Sequence, residues 1–158
     1  MKKKVIKLMS LASIMLVASV KSMKNTNQIT TSNKTKISDQ VLKLQINGGN
    51  TLLHSACMGK QLASVKHLIL NGALDQMESK NSVGMTPLHQ ACLSSTPEVI
   101  EELLLWGASP EVADNAERTA IHFALVRSDL NVPILEMLQK ALEARKELKE
   151  QGIVLENL

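Results

Sequence analysis

Three of the four histidines, His54, His89 and His122, each follow a threonine by three residues, and a cysteine follows the first two by three more (Cys57, Cys92). Imidazole and thiolate are the ligands zinc prefers, and a serine beside a histidine, as in His54-Ser55, pairs a nucleophile with a base. Spacing argues against both chemistries. The histidines recur at intervals of 35 and 33 residues, which puts them on successive stacked helices about 8 to 10 Å apart; ligands of one zinc ion hold their nitrogens about 2.0 to 2.1 Å from it. Neighbours in a helix point about 100° apart, so Ser55 does not face His54. Cys57 and Cys92 occupy equivalent positions and are expected as two separate, buried free thiols, because a disulfide needs Cα atoms about 4.4 to 6.8 Å apart. No G-x-S-x-G, H-E-x-x-H, P-loop or paired-cysteine motif is present. The sequence therefore predicts no catalysis, no metal and no cofactor.

The elements that position these residues repeat with them. TLLHSAC (51–57), TPLHQAC (86–92) and TAIHFAL (119–125) align in register, and SVKHLILNGA (64–73), VIEELLLWGA (99–108) and ILEMLQKAL (134–142) follow. Thr51, Thr86 and Thr119 stand where a helix N-cap satisfies an orphan N–H, and Pro87 sits at the first helical position, where its missing donor costs nothing. Leu53/Ala56, Leu88/Ala91 and Ile121/Ala124 make an apolar i, i+3 stripe, and Gly72 and Gly107 stop the second helices. One such unit cannot bury its own apolar faces, so the copies must stack. Three departures predict local consequences. The loop after the first unit (LDQMESKNSVG, 74–84) is two residues longer than the norm. RSDLNVP (127–133) lengthens the third inter-helix turn. Glu117 replaces the turn glycine found at Gly49 and Gly84, which predicts backbone strain there.

The T-P-L-H-x-A motif, a short turn, an apolar second helix and then Gly-Ala resemble the ankyrin repeat over about residues 47–142, some 60% of the chain. The resemblance implies an all-α solenoid of stacked helix-turn-helix units joined by β-turn loops, with repeats at about 47–81, 82–114 and 115–142. It also gives the motif histidine a structural hydrogen-bonding role beside its threonine. ILEMLQKAL lacks the closing glycine and runs on with helical spacing, so the last helix is expected to continue to about Gln151, stop at Gly152, and cap the array with residues 143–158. SDQVLKLQI (38–46) is expected to cap the other end in part.

Outside the repeats, MKKKVIK and the 13-residue apolar run Leu8–Val20 read as a secretory signal peptide (1–22), too short to span a bilayer. Residues 23–37, rich in Asn, Thr, Ser and Lys, read as a disordered linker before a domain at 38–158. Of the 18 basic residues, eight precede residue 37; from Val41 onward there are 10 basic and 14 acidic side chains, a net −4, which offers no footprint for nucleic acid. With one Trp, one Phe and no Tyr, aromatic platforms for bases or sugars are excluded as well.

The resemblance implies a non-catalytic protein-binding module whose partner is another protein, bound along the concave face. The protein is expected to be a monomer, exported to the periplasm or secreted, and in contact with a membrane only if its leader is retained. Exported bacterial relatives of this kind suggest a partner of a periplasmic enzyme or an immunity protein; the alternatives are an effector acting on a host protein and a membrane-tethered envelope scaffold. On the ankyrin pattern Ser55, Gln90 and Phe123 form a row along the groove, with Met58, Leu93 and Val126 one turn on, Arg127 beside them, and Asn50, Met85 and Arg118 at the loop side. Phe123, flanked by Arg118 and Arg127, is the expected anchor; the alternative is that the RSDLNVP loop folds over it and makes it part of the terminal core.

Overall fold

The computed structural model describes residue 41, residues 44–127 and residues 131–152; the expected signal peptide, linker and final residues 153–158 lie outside the described residues. Six α-helices are described: α1 (Leu52–Met58), α2 (Leu62–Leu70), α3 (Pro87–Ser94), α4 (Pro97–Leu105), α5 (Ala120–Val126) and α6 (Asn131–Glu150). The fold is all-α, and residues 36–142 make one compact unit while α6 beyond residue 142 belongs to a second.

Each repeat begins with the same hairpin. The N–H of Ile46, Asn81 and Asp114 donates to the carbonyl four residues on, of Asn50 (2.8 Å), Met85 (3.0 Å) and Arg118 (2.9 Å) respectively. A tighter bond closes the turn inside it: Gly49 N–H to Ile46, Gly84 N–H to Asn81, and Glu117 N–H to Asp114 (2.9, 2.9 and 3.1 Å). Asn81 and Asp114 reinforce their turns with side chains. Asn81 Oδ1 accepts from the N–H groups of Val83 and Met85, and Asp114 Oδ1 from those of Ala116 and Arg118, the reason short Asn and Asp side chains favour turns. Glu117 adopts φ 60°, against 73° at Gly49 and 82° at Gly84, so the expected strain is present at the one copy that lacks glycine.

The core lies between first and second helices and between repeats. Leu53, Leu88, Val65, Val99, Ile100, Leu103, Ile134 and Leu138 are almost fully buried, at about 1.5 to 3 kcal/mol for each large aliphatic side chain. The longer first loop is not wasted: Ala73–Gln76 form a 3-10 turn that buries Leu74 and, just after it, Met77. Between second helices, Lys66 Nζ meets Glu102 Oε2 at 3.3 Å, while the other oxygen of Glu102 accepts from Trp106 Nε1 at 2.8 Å. Helix α6 ends as expected beside Gly152 at φ 74°, but it begins three residues before Ile134, taking Val132 and Pro133 into its first turn, where proline is tolerated.

Of the segment read as a partial N-terminal cap, the described apolar residues Val41, Leu44 and Ile46 are exposed. In the first-helix column where Cys57 and Cys92 are fully buried, Leu125 is 58% exposed.

Candidate functional site

The motif threonines and histidines lock the repeats together. His54 Nε2 lies 2.8 Å from the carbonyl of Met85 and His89 Nε2 lies 3.1 Å from that of Arg118. A carbonyl only accepts, so Nε2 carries the hydrogen and the neutral ring leaves Nδ1 as an acceptor. Nδ1 of His54 and of His89 takes the N–H of its own threonine (3.2 and 3.0 Å) and lies 2.9 and 2.8 Å from that threonine's hydroxyl. Burial, partly offset by the carbonyl bond, lowers the pKa of both rings below the ordinary histidine value. Both nitrogens of each ring are thus used, which leaves no lone pair for a metal.

The cysteines carry no chemistry either. Both are buried and free, and burial pushes each thiol up to about 12, far from the thiolate that a nucleophile requires.

The expected binding row divides into two sets. Of the residues that follow the motif histidines, Phe123 faces the preceding repeat, not the groove. Phe123 is 6% exposed, its ring edge-on to His89 with centroids 5.4 Å apart and the Arg118 guanidinium 4.8 Å from its centroid. It is an inter-repeat core residue and is corrected from its place as a surface anchor. Gln90 is half-buried, its amide 3.3 Å from Ser94 Oγ; Ser55 is half-buried with Oγ shielded and lacking a partner among the described residues. Met85 is buried as well, because its carbonyl must reach His54, and it too is corrected. Asn50 bridges repeats by accepting from Asn81 Nδ2 at 2.9 Å. Arg118 is committed to Asp114 at 2.7 Å, an ion pair that holds the carboxyl down at about 2. Arg127 reaches back to the Ser95 carbonyl.

What remains outward is apolar. Met58, Leu93 and Val126, in one column of successive first helices, are 54, 40 and 77% exposed. Val83, at a hairpin tip, is half exposed too and is a residue the sequence reading missed. The signal was available: a β-branched side chain in the middle of a tight turn has no core to meet. Such a row of aliphatic groups has neither the nucleophile nor the charge for catalysis or phosphate binding, and suits contact with another apolar surface.

The whole pattern agrees with the comparison to known families. A family model for ankyrin repeats, in three copies, matches residues 14–114 and 53–150; its first range starts inside the stretch read as a leader. No curated protein matches the chain. Ankyrin repeats generally mediate protein–protein contacts and are typically non-catalytic. Recurring hairpins, threonine-capped first helices, histidine bridges and a model match over most of the sequence lead to one conclusion: the chain belongs to the ankyrin repeat family.

Proposed function

We propose that this chain is an exported, non-catalytic binding module that engages one partner protein through the first-helix row Met58, Leu93 and Val126. The exposure of all three aliphatic side chains in one column carries the reading, since apolar groups gathered on a monomer's surface mark contact sites. Histidines with both nitrogens occupied and thiols held in the neutral form support a role without catalysis. Export rests on the cationic start and the short apolar run that follows it, with the periplasm as the default destination.

A photo-crosslinking residue placed at Leu93, with one at Leu105 on the second helix of the same repeat as control, tests the face inside the producing cell. One discrete adduct from position 93 and none from 105 is the expected result; equal labelling from both would reject the face. A second reading keeps the leader attached as an envelope anchor, on the same cationic start and apolar run. The mass of the purified protein decides between them: loss of about 19 to 22 residues means cleavage at the small-residue flank.

A further inference from the structure

Charge is sorted between the first and second helices. The first helices α1, α3 and α5 contain no Asp, Glu, Lys or Arg, whereas α4 alone carries Glu98, Glu101 and Glu102. Met58 and Val126 are the last residues of α1 and α5, and Leu93 is the last but one of α3, so the exposed row follows the C-terminal ends of these helices. Two cations adjoin it there. Lys60, exposed, stands two residues beyond Met58, and Arg127 follows Val126, its guanidinium reaching the Ser95 carbonyl at the end of α3. The carboxylate next in line, Glu98, is occupied at the start of α4, where the Thr96 hydroxyl and its own backbone N–H hold it below the usual carboxylate range.

Lys60 keeps its place against the preference of the backbone. Its φ is 57°, a left-handed conformation in which a Cβ is strained and a glycine is not. Gly59 beside it has an ordinary φ of −75°, so the turn sets the lysine, and not its glycine, at the strained position. The Lys60 N–H closes the turn on the Cys57 carbonyl at 3.1 Å, while its side chain meets no carboxylate among the described residues. A strained residue that carries a charge to the border of an exposed apolar row fits a contact site.

The geometry points to an acidic protein segment as the occupant of this face. It lays apolar side chains along Met58, Leu93 and Val126 and sets an Asp or Glu beside them to meet Lys60 Nζ, in the positive field to which Arg127 adds. The inference rests on the first-helix reading above and names what that face selects, since a charge at the rim of an apolar contact governs the choice of partner more than the strength of binding. An anionic membrane also attracts cations beside apolar groups, but it takes a cluster of several basic residues to do so. From Val41 onward 10 basic side chains are outnumbered by 14 acidic ones, whereas a single partner carboxylate needs only the one lysine.

The photo-crosslinking residue at position 93 tests this in the full chain inside the producing cell, combined with Lys60→Glu, with Lys60→Gln as a milder change, and with Lys140→Glu as control. Lys140 is exposed on α6, so the control makes the same change of charge away from the row, and melting of the purified variants checks that each keeps its fold. The adduct is expected to fall about tenfold with Lys60→Glu, by less with Lys60→Gln, and to stay unchanged with Lys140→Glu. Mass spectrometry of the crosslinked peptide should place an Asp or Glu of the partner within about four residues of the attachment point, close enough to share one face with it. Replacing that residue by Lys should restore the adduct to the Lys60→Glu chain. An adduct of full yield with Lys60→Glu, a crosslinked peptide without carboxylates, or an adduct to lipid overturns the inference and leaves the face itself standing. Absence of any adduct from position 93 in the otherwise unaltered chain rejects the face and the acidic segment together.

Discussion

A protonated His54 or His89 could no longer accept its threonine's N–H, and burial already disfavours the charge. The folded pKa of each lies below the unfolded value, so between the two values the unfolded chain binds more protons and stability rises with pH. Stability from this source is complete above about pH 6.5 and is lost as pH falls from there toward the folded values. Urea midpoints measured from pH 7.5 to 5 should therefore decline, with a slope of at most about 1.4 kcal/mol per pH unit for each histidine. Replacing either ring by Gln should lower the slope as well as the stability; an unchanged slope would mean the rings titrate freely. Asp114 acts in a separate window. Its carboxyl is held at about 2 by Arg118, so its contribution is present above the ordinary carboxylate range and disappears only as pH falls toward 2. Phe123 shows why a residue's role is harder to read than its position. Its column was legible, but whether a ring in that column faces solvent or the previous histidine depends on the side of the helix the neighbour covers, which no local spacing encodes.

At the scale of the element, the hairpin turn is the part the sequence describes best, because its requirement is steric and local. Gly84 sits at φ 82°, and a Cβ there would lie 2.3 Å from Asn115 Oδ1 and 2.5 Å from Asn115 N. Gly84→Ala should cost more than about 3 kcal/mol, combining left-handed strain with overlap against the next repeat's backbone. Glu117 occupies the same column at φ 60° with no further repeat to meet among the described residues, and Glu117→Gly should raise stability by about 1 kcal/mol as the strain is relieved. Denaturant titration of both variants checks the pair, and a neutral Gly84→Ala would show that the hairpins do not need to touch. Helix limits were legible where a cap or glycine marks them, as at Thr51, Thr86 and Gly152. The start of α6 was not, because Pro133 reads equally well as the end of a loop and as part of a first turn. The exposure of Val41, Leu44 and Ile46 was not legible for a related reason: an apolar spacing that fits a covering segment does not say which surface it covers.

Across residues 44–142 the molecule behaves as a one-dimensional array in which each repeat is held by its neighbours. Repeat two is flanked on both sides, whereas repeats one and three each have a single neighbour among the described residues. Hydrogen exchange should accordingly be slowest for the amides of α3 and α4, with α1 and α5 exchanging faster; equal protection throughout would mean the array opens only as a whole. The histidine bridges also give this array a direction in time. His54 waits for a carbonyl 31 residues later and His89 for one 29 residues later, and no bridge of this kind points backward. A chain emerging from the ribosome N-terminus first therefore carries each newly made repeat with its imidazole unbonded until the following hairpin appears. Synthesis must run one full unit ahead of folding, and each repeat is sealed by its successor.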